Sequence, residues 1–283
     1  DRTGVYSHGY ALRQQEKTLS EALKQQGFAT GHFGKWHLNG LRGPGVPILE
    51  DDPYRPGAFG FDEWVSVTNF FDIDPLMSDN GEFKEYKGTS SDIIVDLALD
   101  FIRKSLEKEK PFFAVIWDGS PHRPFRALEK DKQDFEKLDE KSQSHYGELV
   151  AFDRSVGTLR KQLREMGVAE NTLIWYCSDN GGLPDVTPTS VGHLKGFKGS
   201  LWEGGLRVPA IIEWPSKVKP AVTDYPASTM DIFPTIAGLL HLPDTIRVYP
   251  QDGQSVIPVI LGNTEDREKP IPFRYSEGGA LVD

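Results

Sequence analysis

Four short segments carry side chains able to handle an oxyanion and a hard cation. In "GKWHLNG", Lys35 and His37 flank Trp36. Residues two apart on an extended chain point the same way, so both would face one site. In "GSPHRPF", His122 follows the apolar run "PFFAVIWD". In "WYCSDNGG", Asp179 and Asn180 end another apolar run, and two glycines behind them permit a sharp turn and close backbone approach. In "GFKGSLWEGG", Lys198 sits in a glycine-rich loop, with His193 a little upstream.

These residue types point to definite chemistry. Asp179 and Asn180 supply two hard oxygen ligands, which suits Ca2+ or Mg2+ better than zinc. Two ligands are too few for a site, so further carboxylates have to come from elsewhere. Lysine ammonium groups offer point charge to a sulfate or phosphate. A histidine can carry a proton near neutral pH and hand it to a leaving alkoxide. Fixed cations and a metal would then supply the main catalytic term. Each residue also has a plain reading. Asp-Asn-Gly-Gly after a strand is often only a turn. "GKWH" reads equally as a basic surface strand, His122 as a loop residue, and Lys195, Lys198 and His193 as solvated side chains. Cys177 lies inside an apolar run and reads as a small buried hydrophobe rather than a nucleophile. His8, His32, His145 and His241 show no usable pattern, and "DIFPT" reads as a helix start with no chemistry.

The elements that must position these residues alternate in type. "EKTLSEALKQQGFAT" has helical apolar spacing and a stop at Gly27, with a short strand expected around 28–33. Residues 38–87 read as a long loop rich in Gly, Pro, Asp and aromatics; a loop of that length inside a domain is usually functional. "SSDIIVDLALDFIRKSLEKEK" is an amphipathic helix that Ser90 or Ser91 can cap. "PFFAVIWD" is a strand, residues 144–166 a helix, and "NTLIWYCS" a central strand buried on both faces. "LRVPAIIEWP" follows as a strand and "DIFPTIAGLL" as a helix with Pro234 in its first turn. This order predicts an α/β fold: a mostly parallel central sheet with helices on both faces. Ligands of such sheets bind outside the carboxyl ends of the strands, where all four segments fall. After about residue 243 the pattern becomes irregular, so residues 1–243 read as one domain and 244–283 as the start of a further region.

Composition narrows the partners. The 283 residues carry a net charge of −10, which argues against nucleic-acid binding and requires any anion to be attracted locally. One cysteine excludes an intrachain disulfide, and no run is long and apolar enough to span a bilayer. The opening "DRTGVYSHGY" has neither a signal-peptide pattern nor an initiator Met.

Taken in order, these segments resemble a type I sulfatase of the alkaline phosphatase superfamily, the arylsulfatase-like group. "TGHFGKWHLNG" resembles the second sulfatase signature. "PFFAVIWDGSPHRPF", "NTLIWYCSDNGG", "LKGFKGSLWEGGLRVPAIIEWP", "DIFPTIAGLL" and "DGQSVIPVILG" each resemble later family segments. The resemblance implies that Asp179 and Asn180 are the later pair of Ca2+ ligands. It implies that Lys35 and His37 contact the sulfate and the catalytic hydrated aldehyde. It implies that His122 and Lys198 hold the sulfate and assist the leaving oxygen. His193 is a further substrate-binding candidate.

One departure stands out. The family nucleophile is a formylglycine made from Cys or Ser in a Cys/Ser-x-Pro-x-Arg motif, and these residues contain no such motif. The family's first two metal-binding aspartates are also missing. Both belong upstream of a segment like "DRTGVYSHG", so the expectation is a chain lacking its N-terminal nucleophile segment and most of a small C-terminal subdomain. Alone it would be inactive, since a covalent route needs its nucleophile. The parent protein is expected to hydrolyse a sulfate ester. The aromatic and acidic content of 38–87 favours a carbohydrate sulfate over a small aryl sulfate. The alternatives are a phosphatase or phosphonate monoester hydrolase of the same superfamily, and a non-catalytic relative that binds sulfated glycans. The family implies a periplasmic or secreted location.

Overall fold

The computed structural model describes residues 11–41, 45–69, 71–263 and 266–283. The chain divides into two compact units, residues 1–163 and 164–283.

The first unit opens with α1 (Leu19–Gln25), whose start is a capping box between Thr18 and Glu21. The paired hydrogen bonds satisfy backbone N–H groups that the helix itself leaves open. Gly27, at φ +85°, turns the chain into β1 (Ala29–Lys35), five of whose seven residues are buried. Next come β2 (Glu63–Val67), β3 (Leu76–Asp79), β4 (Glu82–Glu85), α2 (Ser90–Glu107) and β5 (Phe112–Trp117). The sheet order is β4-β3-β2-β1-β5. β1 runs parallel to both β2 and β5, while β3 and β4 extend the sheet antiparallel. The short α3 (Glu129–Lys132) and the long α4 (Glu140–Glu165) follow.

Period-two alternation along β1 separates two packing layers. Gly31 and Phe33 face α2, where Phe33 and Phe101 set their ring centroids 5.6 Å apart. His32 faces the opposite layer, an aromatic cluster of Trp36, Phe59, Phe61 and Trp64 with Ile48. Gly34 has φ +109°, and a Cβ there would lie 2.1 Å from the Trp117 carbonyl oxygen of the neighbouring strand. Only glycine lets β1 and β5 approach so closely at that point.

Residues 38–87 correct the expected loop: they contain a 3-10 turn (Pro56–Phe59) and the three strands β2, β3 and β4. The signal was present. Asn80 and Gly81, at φ +50° and +103°, form the two-residue connection of the β3–β4 hairpin. Asn-Gly between short alternating runs is the strongest local hairpin signature. The N-cap of α2 is Thr89, one residue before the serines proposed for it; its hydroxyl accepts from the Asp92 amide.

The second unit holds β6 (Ile174–Cys177), α5 (Glu203–Leu206), β7 (Ala210–Glu213), α6 (Ile232–Leu239), α7 (Ile257–Ile260), and the hairpin β8 (Ile271–Tyr275) and β9 (Gly278–Val282). Here a second expectation changes. β6 is half-buried and pairs antiparallel with β7, with Cys177 opposite Ala210. A parallel return needs a crossover of a dozen or more residues, usually a helix, that carries the chain back to the starting end. The β6–β7 connection contains only the four-residue α5 and returns at the end where β6 left.

Asp231, just before α6, is fully buried and holds Arg267 through paired bonds of 2.8 and 2.9 Å. The same carboxylate accepts from the Ser228 and Gln254 amides. The irregular residues beyond 243 are thereby anchored to the start of α6.

Candidate functional site

The parallel register of the first unit sets three chain segments on one edge. Lys35, the last residue of β1, lies opposite Val67 of β2, and Gly34 lies opposite Trp117 of β5. The segments that follow therefore leave the sheet together at its carboxyl edge: Lys35 to His37, the loop after Val67, and the turn from Asp118 to His122. Trp36 is buried between them, and its indole donates to the Tyr54 carbonyl at 2.7 Å. β1 ends at Lys35, and His37 has a left-handed backbone with φ +49°. The strand repeat expected to align Lys35 with His37 thus ends before it reaches His37, although both leave the same strand end. Asn39, also buried, donates to Asp52 at 3.0 Å and fixes the exit of this segment.

His122 is half-buried on the turn after β5. Its Nδ1 lies 2.8 Å from the Arg123 carbonyl oxygen. A carbonyl only accepts, so Nδ1 carries the proton and Nε2 is the nitrogen that takes up or releases the second one. The turn is braced by Asp118, which accepts from the Ser120 amide at 2.9 Å. Burial pushes Asp118 up to about 6, despite hydrogen bonds from Ser91, Ser120 and Gly119. Burial likewise raises Asp72, on the loop after β2, to about 6, against the pull of Arg126.

His32, which shows no usable pattern in the sequence, lies directly beneath this edge. It is completely buried, its Nδ1 meets Ser66 Oγ at 2.7 Å, and its ring packs edge-on against Trp36, Phe61 and Trp117. Its Nε2 has no partner among the described residues. Burial drives its pKa from 6.5 down to about 3. The sign follows directly. The unfolded chain binds this proton below 6.5 and the folded chain does not, so stability falls as pH drops from 6.5 towards 3. The slope approaches about 1.4 kcal/mol per pH unit from this group. Denaturant titrations between pH 7 and 4 should show this loss, and His32→Gln should flatten it; an unchanged slope in that variant would assign the loss to other groups.

The second unit presents the other candidates on two interlocked loops. Asp179 and Asn180 follow β6; Asp179 is exposed and Asn180 half-buried. The Asn180 side-chain amide donates to the Gly181 carbonyl at 3.2 Å, leaving Oδ1 as its acceptor atom. The loop carrying His193, Lys195 and Lys198 is stitched to this turn by backbone bonds. Lys198 donates its amide to Gly182 at 2.9 Å, and Gly181 donates to Gly205 at 3.0 Å. A Cβ on Gly181 would lie 1.8 Å from the Gly204 carbonyl, and one on Gly204 would lie 2.0 Å from that of Gly196. The glycines are needed because the loops touch backbone to backbone. Lys198 and His193 are exposed, and the Lys195 ammonium sits 3.6 Å over the exposed Trp202 ring. Cys177 is half-buried, and burial, with the charge of Asp179, pushes its thiol up. A thiol held in its protonated form is a poor nucleophile.

Asp179 and Asn180 fit two positions of an oxygen-ligated Ca2+ site: one carboxylate and one amide oxygen on consecutive residues. Among the described residues no group of three or more His, Cys, Asp or Glu is placed to hold a metal. The structure thus places Lys35, His37 and His122 on one sheet edge of the first unit. It places Asp179, Asn180, His193 and Lys198 on joined loops of the second. The "DRTGVYSHG" segment lies outside the described residues. Among the described residues no helix is long and apolar enough to cross a membrane.

A family model for sulfatases matches residues 1–242. The chain belongs to the sulfatase family. Among its relatives, an ulvan-active sulfatase of Formosa agariphila is 29% identical over 86% of this chain and 50% of its own length. The N-acetylgalactosamine-6-sulfatase of Sus scrofa is 31% identical over 99% of this chain and 57% of its own. The structure of Ps i-CgsB in complex with k-i-k-neocarrahexaose aligns with a TM-score of 0.79 at 26% identity, covering 97% of this chain and 67% of that one. The mixed, mostly parallel sheet with its helices is thus the sulfatase fold. This sulfatase chain spans about half the length of the curated relatives it matches.

Proposed function

We propose that the complete protein carrying this chain is a sulfuric ester hydrolase that removes sulfate from a carbohydrate. The observation that supports this reading most is the unbroken family match over residues 1–242, which includes every candidate residue from Lys35 to Lys198. Relatives named as an ulvan-active sulfatase and an N-acetylgalactosamine-6-sulfatase, and a neighbour solved in complex with k-i-k-neocarrahexaose, favour a sulfated glycan. Lys35 and Lys198 neutralise sulfate oxygens against a chain whose net charge is −10. His37 orients the bound group. His122 gives a proton to the departing sugar oxygen, and its Nδ1 bond to the Arg123 carbonyl supports Nε2 as the donor atom. Asp179 and Asn180 would hold a Ca2+, which would supply charge stabilisation to the sulfate. A formylglycine elsewhere in the complete protein would supply the nucleophile. The exported location common to the family is part of the same proposal.

The test is sulfate release by the complete protein from sulfated galactans, in parallel with aryl sulfate and aryl phosphate. Calcium chelation should abolish release, and added Ca2+ should restore it. Faster turnover of the phosphate than of every sulfate would replace this reading with a phosphatase. Tight glycan binding without release of either anion would make the protein a lectin-like relative.

A further inference from the structure

Glu148 is built into the loop that carries His122. It projects from α4 and is 3% exposed. Its Oε1 accepts the Arg126 backbone N–H at 2.5 Å, and the His122 backbone N–H bonds the same carboxyl group. One side chain therefore ties both ends of the segment from 122 to 126. Its Oε2 is buried with no partner among the described residues and lines a small pocket with Asp72, Ser90, Ser91, Ser120 and Arg126. A buried carboxyl with an unsatisfied oxygen is costly. That cost goes unexplained if the residue is merely part of a helix face.

The groups around it decide its charge. Asp72 faces it from the loop after β2 and Asp118 from the end of β5. The Arg126 guanidinium lies 3.8 Å from Asp72. Burial, with the two neighbouring carboxylates, raises Glu148 to about 8. At neutral pH it is a protonated acid whose carbonyl oxygen accepts from the loop.

We propose that Glu148 is a positioning residue: it clamps the His122–Arg126 loop so that the imidazole meets the leaving oxygen of the sulfate ester. This rests on the role assigned to His122 above.

The experiment compares E148Q, E148L and H122A in the complete protein, measuring kcat and KM from pH 6 to 9.5 and amide hydrogen exchange over the loop. E148Q keeps an acceptor oxygen and removes the titration. It should retain most of the wild-type kcat and keep the loop amides protected. E148L leaves two amides unpaired; its loop amides should exchange at least about tenfold faster, and kcat should fall by about 10²-fold with little change in KM. Unchanged exchange in E148L overturns the clamp. Faster exchange with normal kcat in E148L, while H122A is inactive, overturns the role of Glu148 alone. Normal kcat in both E148L and H122A overturns the assignment of His122 and the clamp's purpose with it. Should E148L not fold, E148A, which also removes the acceptor oxygens, takes its place, and unchanged loop exchange in that variant overturns the proposal.

Discussion

Replacing Lys35 with alanine is expected to lower kcat/KM for a sulfated substrate by roughly 10²–10³-fold, the loss typical of removing one preorganised stabiliser of transition-state charge. The placement of Lys35 explains the size. It is the final residue of a buried central strand, flanked by Gly34 pressed on the Trp117 carbonyl and by buried Trp36. The backbone beneath the ammonium is held on three sides, so the charge comes with little reorganisation. Lys35→Arg should recover only part of the activity, because a planar fork does not replace a compact point charge. His122→Ala should behave differently across substrates. Its loss should be large for a sugar alcohol and small for nitrophenyl sulfate, whose leaving group needs little protonation. Steady-state kinetics on both substrate types, with circular dichroism to verify folding, checks this. A Lys35→Ala enzyme within threefold of wild type would remove Lys35 from the site.

The second large effect concerns stability. Asp231 and the Arg267 side chain are essentially excluded from solvent, at 0% and 1% exposure, and face each other through paired bonds. Removing one partner leaves an uncompensated buried charge, which costs about 3–5 kcal/mol. Asp231→Ala and Arg267→Ala should each lose stability on that scale in denaturant unfolding. The apolar pair Asp231→Leu with Arg267→Met should recover much of it, since a buried ion pair contributes little beyond what well-packed apolar groups supply. Equal losses in the single and paired variants would mean that the amide bonds from Ser228 and Gln254, rather than charge compensation, hold this region together.

Legibility in the sequence followed the range of the interactions. The helices α1, α2 and α4 were readable because caps and 3.6-residue apolar spacing are local. The strand ends leading to His122 and Asp179 were readable because apolar runs stop abruptly at polar residues. The antiparallel β6–β7 pairing was not readable, since it depends on where a long connection returns. His32 and Glu148 stayed hidden for a related reason. Each is an ordinary polar residue within its own segment and becomes unusual only when partners from Ser66, Trp117, Arg126 or Asp118 enclose it. The hairpin at Asn80-Gly81 is legible in its Asn-Gly pair, but the surrounding loop-like composition masks it. His37 shows the reverse error: its alternation with Lys35 assumed a strand that had already ended.

The loops after β6 and before β7 also bear on how such a protein can diversify. Where Gly181, Gly204 and Gly196 meet, carbonyls occupy the volume a methyl group would need. Lys195, His193 and Trp202, by contrast, project outward from the same ribbon. A rigid frame with solvent-facing positions allows the outward side chains to be exchanged without disturbing the turn that carries Asp179 and Asn180.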